Sequence, residues 1–192
     1  MRNVAILLFD DVEVLDFAGP FEVFSVTAEL NNYNLLNVFT VAEQQANIIA
    51  KNGLTVLPKF SISNTPKIDV LVIPGGDGAK KLLDNEVILN WINTIHKSTE
   101  ITMSVCSGAT ILGKLGLLNG QPYCTHHQVY ERMGKLASTA MAQKDKRYVA
   151  AGKVYTSGGI SAGIDLSFHL VAQFFGKAVA QKTAQYMEYR LS

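Results

Sequence analysis

Cys106 sits among small residues, in the stretch Ser104-Val105-Cys106-Ser107-Gly108. A nucleophile on a sharp strand-to-helix turn needs small side chains two positions to either side, or they collide. Ser104 and Gly108 meet that need. Such a turn also sets the sulfur at a helix N-terminus, where unpaired N–H groups and the helix dipole favour a thiolate. The amide of Ser107 then points to where negative charge develops during attack. Gly75 and Gly76, in the run Pro74-Gly75-Gly76-Asp77-Gly78, allow a second backbone N–H close to the same space. The chemistry implied is attack by sulfur on a small electrophile. A small-x-Cys-x-Gly pattern alone also suits an inert buried cysteine, so the surrounding elements must decide.

Those elements agree. "EITM" before the cysteine is short and apolar enough for a strand, and "ATILGKLGLL" after it has the spacing of a buried helix. "NVAILLF" (3–9), "LLNVFTVAE" (35–43) and "DVLVIPGG" (69–76) read as strands, the first as one buried on both faces of a parallel sheet. Helices are predicted over 16–30, 84–98 with Asp84 or Asn85 as N-cap, the segment "HQVYERMGKL", 161–176 and 177–192. Asn52-Gly53 between two alternating runs signals a hairpin, and 147–159 reads as two short strands around Gly152. Strands alternating with helices predict a doubly wound α/β sandwich, one domain over 1–192. In such sheets ligands bind beyond the carboxyl ends of the strands, where Pro74-Gly75-Gly76 and Cys106 both lie. They belong to one site.

The bulk numbers set limits. The chain has 192 residues, nearly half of them hydrophobic, and a net charge of +1. That balance gives no basic face for nucleic acid, and no apolar run reaches the length of a membrane span. Two distant cysteines, Cys106 and Cys124, form no disulfide framework, and the N-terminus lacks the pattern of a signal peptide. A cytoplasmic location is expected, with Cys124 as an inert buried thiol. No cluster has metal-ligand spacing, and the Gly75–Gly78 loop lacks the Lys and Ser/Thr of a phosphate loop. The expectation is therefore a small-molecule substrate, with no metal and no cofactor.

"LDFAGPFEVF", "DVLVIPGGDG", "SVCSGATILGKLGLLNG", "THH" and "YTSGGISAGIDLSFHLV", in this order, resemble the ThiJ/PfpI superfamily with its class I glutamine amidotransferase-like fold. More narrowly they resemble its isonitrile hydratase branch and the sensor-like domains fused to AraC-type regulators. The resemblance spans essentially the whole chain. It implies a flavodoxin-like three-layer sandwich with a mostly parallel sheet, and a homodimer with the site near the interface.

The resemblance also assigns residues. Cys106 matches the elbow nucleophile, and Asp16 matches the carboxylate that approaches the thiol in the isonitrile hydratase branch. Two charges there would repel, so one proton is expected to be shared, which suits an acid that protonates carbon while sulfur attacks. The alternative for Asp16 is an N-cap of the helix that Gly19-Pro20 turns the chain into. Ser107 stands where the protease-like branch has His and the isonitrile hydratase branch has Thr, so a hydroxyl is kept. His126 is read as either a substrate-orienting residue or a loop hydrogen-bonder, and His127 replaces an aromatic. The implied substrate-binding set is Gly75, Gly76, Ser107 and His126, around a pocket expected to carry few charges. The implied function is hydration of an isonitrile to an N-substituted formamide. The alternatives are a non-catalytic small-molecule or redox sensor and a stress protein acting on reactive carbonyls. With 192 residues there is no room for a helix-turn-helix after the domain, an expectation against direct DNA binding.

Overall fold

The computed structural model describes residues 1–191. β1 (Arg2–Leu7) leads into α1 (Val14–Glu29) and β2 (Leu36–Ala42). A small antiparallel hairpin follows, β3 (Ile48–Ile49) and β4 (Thr55–Val56), then β5 (Phe60–Ser61) and β6 (Val70–Ile73). The hairpin turns at Asn52 and Gly53, with φ of 65° and 92°, the left-handed pair that an Asn-Gly turn supplies. Next come α2 (Ala79–Leu82), α3 (Glu86–Ser98), β7 (Ile101–Ser104), a 3-10 turn at Cys106–Gly108 and α4 (Ala109–Lys114). The last third runs β8 (Pro122–Tyr123), a 3-10 turn at His127–Val129, α5 (Tyr130–Leu136), β9 (Met141–Ala142), β10 (Tyr148–Ala151), β11 (Val154–Ser157), α6 (Ala162–Phe175) and α7 (Lys177–Tyr186).

Seven strands make one sheet in the order β10-β11-β7-β6-β1-β2-β5, parallel throughout except for β10 against β11. The central strands are covered on both faces, so every residue of β6 and the stretch Val4–Leu7 of β1 is buried. α1, α6 and α7 pack on one another, while α2 contacts α3 and α4, and α4 contacts α5. The result is a flavodoxin-like sandwich of helices around a mostly parallel sheet. Its central order β2-β1-β6-β7-β11 reverses direction between β1 and β6. At that switch point the loops leaving the two strands diverge and open a crevice.

Several elements differ from the sequence reading. α1 starts at Val14, so Gly19 and Pro20 lie inside the helix and do not turn the chain into it. Pro20 has no N–H to offer the carbonyl of Asp16 one turn back, a helix bond given up. The short α2 and the two-residue pair β8–β9 were not anticipated. α7 stops at Tyr186, short of the predicted end, because Glu188 takes φ 50° and turns the chain back. The turn lets the Tyr189 hydroxyl donate to Asp165 at 2.6 Å and stack its ring on Phe168. Ser192 lies outside the described residues. Asn85 caps α3, its side chain accepting from the Ile88 amide at 3.1 Å, as the sequence suggested. Among the described residues no helix is long and apolar enough to cross a membrane.

Candidate active site

Cys106 stands at the carboxyl end of β7 with φ 58°, left-handed backbone that costs a non-glycine residue on the order of 1–3 kcal/mol. Neighbouring segments over-determine it. Its N–H donates to Gly158 O at 3.1 Å, and its carbonyl accepts from the Thr125 hydroxyl at 2.7 Å. The Val105 amide is held by Ile73 O at 3.0 Å. A Cβ at Gly108 would fall 2.8 Å from Pro74 O and closer still to Ile73 O, so the turn excludes any larger residue there. The N–H groups of Ser107 and Ile160 face the sulfur and favour its ionised form. Burial and the neighbouring Asp16 charge outweigh them, and the thiol is pushed up to about 12.

Asp16 comes from the third residue of α1 and is fully buried. It does not cap its helix. Its Oδ2 accepts from the Gly75 amide at 2.9 Å, so the carboxyl turns away from its own helix end and toward the loop after β6. The loop after β1 is itself tied there, with Glu13 N–H donating to Gly75 O at 3.0 Å. Oδ1 is buried without a hydrogen-bond partner, and the thiol beside it acts on its titration without completing a well-aligned bond. Loss of hydration dominates, opposed by the Gly75 amide, and holds the carboxyl at about 7 instead of the usual range near 4.

The structure brings Asp16, Gly75, Ser107 and Cys106 together, with Gly76 and His126 at the edge. A Cβ on Gly75 would lie 2.6 Å from Ser107 N and 3.0 Å from Asp16 Oδ2. The glycine amides are occupied, however. Gly75 N–H serves Asp16, and Gly76 N–H donates to Ser107 Oγ at 3.0 Å. Neither glycine therefore offers a free N–H; each lets neighbouring loops approach closely, Gly75 against Ser107 and Asp16 and Gly76 against Asp11–Glu13, and the Ser107 hydroxyl braces the loop after β6. Ile160, which sequence reasoning missed, contributes in their place. It is a β-branched residue at φ 52°, a rare strain, and its amide faces both Cys106 and Asp16. No sequence pattern marks it, because its role lies in a backbone angle.

Above the sulfur is a cavity of about 410 Å3. His126 and His127 both line it, their rings 4.2 Å apart. His126 Nδ1 accepts from the Gln128 amide at 3.3 Å, and burial, then His127, holds its pKa below the usual value. The expectation of few charges fails here. Glu13, Lys51, Asp77, Lys80 and Arg132 all line the mouth, because loops and helix ends that are solvated elsewhere converge on the switch point. Cys124 is fully buried, its thiol donating to Thr156 O at 3.2 Å. Among the described residues no three His, Cys, Asp or Glu side chains are grouped to hold a metal ion.

The model of the DJ-1/PfpI family matches residues 2–173. Isonitrile hydratase of Pseudomonas putida is 31% identical over 187 residues, which cover 97% of this chain and 78% of that protein. The HTH-type transcriptional regulator GbdR of Pseudomonas aeruginosa is 21% identical over 98% of this chain, which spans 51% of the regulator's length. In the crystal structure of a ThiJ/PfpI family protein from Pseudomonas syringae, 24% identical, the match covers all of this chain and 76% of that one with a TM-score of 0.89.

Proposed function

The chain belongs to the DJ-1/PfpI family, and from that premise we propose that it is a cysteine-dependent enzyme adding water to an isonitrile to give an N-substituted formamide. One observation carries the reading: a buried carboxyl that titrates near neutrality, Asp16, beside a thiol held in a strained elbow, Cys106. The likeness to isonitrile hydratase supports it. The sulfur of Cys106 bonds to the terminal isonitrile carbon, and the proton shared with Asp16 moves to that carbon, giving a thioimidate. Water then adds to the same carbon with Asp16 taking its proton. The C–S bond breaks, nitrogen is protonated, and the formamide leaves with the thiol restored. The atoms balance as isonitrile plus water, so no step calls on a cofactor. Amides of Ser107 and Ile160 stabilise sulfur as it gains and loses charge, and His126 orients the substrate from the cavity wall.

The test is formamide production from cyclohexyl isocyanide. Cys106→Ser should lower turnover on the order of a thousandfold or more, since an alcohol at the same place is a far weaker nucleophile. Absence of turnover by wild-type protein overturns the reading. The likeness to a regulator along nearly the whole chain favours one second reading, a small-molecule or redox sensor. Fast peroxide oxidation confined to Cys106, seen by intact mass in a protein without turnover, would select it. We also propose a homodimer. The family resemblance is joined by exposed Ile49, Leu54 and Leu57 on the β3–β4 hairpin, with Leu15 at the start of α1.

A further inference from the structure

The cavity over Cys106 is lined by five charged side chains, those of Glu13, Lys51, Asp77, Lys80 and Arg132. Lys51 is 3.6 Å from Glu13 and 3.4 Å from Asp77, so these three form a closed set carrying one net negative charge. Lys80, on α2, and Arg132, on α5, line the same cavity, and their side chains take part in no ion pair or hydrogen bond among the described residues. An exposed lysine is ordinary in that state. A half-buried guanidinium with five donors and no acceptor is not. Both cations border the space in front of a nucleophile, and with His126, His127 and Gln128 they make a polar wall that a neutral alkyl ligand would leave unsatisfied.

We propose that the natural ligand is a monoanion, with a carboxylate held at the mouth by Arg132 and Lys80 and an electrophilic carbon directed at Cys106. The planar fork of Arg132 matches a carboxylate. A phosphate dianion fits less well, because Glu13, Asp77 and the Asp16–Cys106 pair already bring negative charge to a site with two free cations. The nature of the electrophile rests on the hydratase reading. With it, the substrate is an isocyano carboxylate; without it, the anion preference still stands.

Two measurements separate these claims. The first compares kcat/KM for isocyanoacetate and longer isocyanoalkanoates with that for their methyl esters, following formamide by NMR. The second compares the rates at which iodoacetate and iodoacetamide alkylate Cys106, which requires no turnover. In wild-type protein at low salt the carboxylate-to-ester ratio should be roughly ten or more, in line with electrostatic steering. Both ratios should fall about tenfold in Lys80→Met/Arg132→Met and fall with added salt. Lys135→Met, a solvated pair partner of Glu131 elsewhere on α5, should leave both ratios at the wild-type value. Hydration of the esters with neither ratio altered by the double substitution overturns the anion site and leaves the hydratase reading standing. No hydration of any isonitrile, with an iodoacetate preference that the double substitution removes, sustains the anion site and rejects the hydratase. Failure of both overturns both.

Discussion

A carboxyl and a thiol enclosed together cannot both be charged, and the pair divides its protons accordingly. Asp16 is held at about 7 and Cys106 at about 12, so between those values the pair keeps one proton. That singly protonated form is the one able to attack with sulfur and protonate carbon. kcat/KM should therefore rise about tenfold per pH unit up to about 7 and then level. Asp16→Asn should remove this step, leaving iodoacetamide alkylation of Cys106 with one rise at higher pH; a step near 7 that survives would deny the pairing. Stability has the opposite sign from an ordinary aspartate. The folded protein keeps a proton that the unfolded chain releases above about 4, so stability falls as pH climbs from about 4 to about 7, by at most about 4 kcal/mol. Asp16→Asn should flatten that fall, which melting curves across the range would show. The elbow at Cys106 was legible from residue types, and the approach of Asp16 only from the family resemblance, whereas Ile160 acts through an amide and a backbone angle that its residue type does not announce.

Elements show the same division. The strand ends that build the elbow carry long apolar runs and were legible, as was the Asn85 cap of α3. The start of α1 was misread because Gly19-Pro20 looks like a boundary in sequence. The helix survives it because α1 is packed against α6 and β2, and those contacts outweigh one missing bond. The pair β8–β9 is two residues long, too short for any period to register. At the elbow, Gly108→Ala would drive a methyl into the carbonyls of Ile73 and Pro74, which cannot yield without shifting β6. It should cost about 3 kcal/mol or more. Gly152→Ala, in the β10–β11 turn at φ 57° with open space around it, should cost about 1 kcal/mol. Urea melts of the two variants test the contrast, and equal costs would mean that the elbow relaxes freely.

At the scale of the whole molecule, alternating strands and helices were enough to read the fold class, and the switch point between β1 and β6 explains where the site lies. The charged mouth was not legible, since Lys51, Lys80 and Arg132 are far apart in sequence and look like solvated residues one at a time. The proposed homodimer predicts a solution mass near twice 20.9 kDa by light scattering. Leu54→Lys with Leu57→Lys, the second residue 62% exposed, should reduce it to that of one chain. A wild-type mass of one chain would remove the dimer. The bond from Cys106 N–H to Gly158 O has a further consequence. Asp16, Gly75, Cys106, Thr125 and Ile160 come from five stretches spread along the chain, and the Gly158 carbonyl and Ile160 amide that hold the cysteine arrive more than fifty residues after it. A growing polypeptide leaving the ribosome thus carries an ordinary, unpositioned thiol until the segment around Gly158 and Ile160 emerges. Until then the thiol keeps the ordinary acidity of a free cysteine, open to any electrophile, and closure by Gly158 and Ile160 exchanges that general reactivity for a buried, carboxyl-paired sulfur.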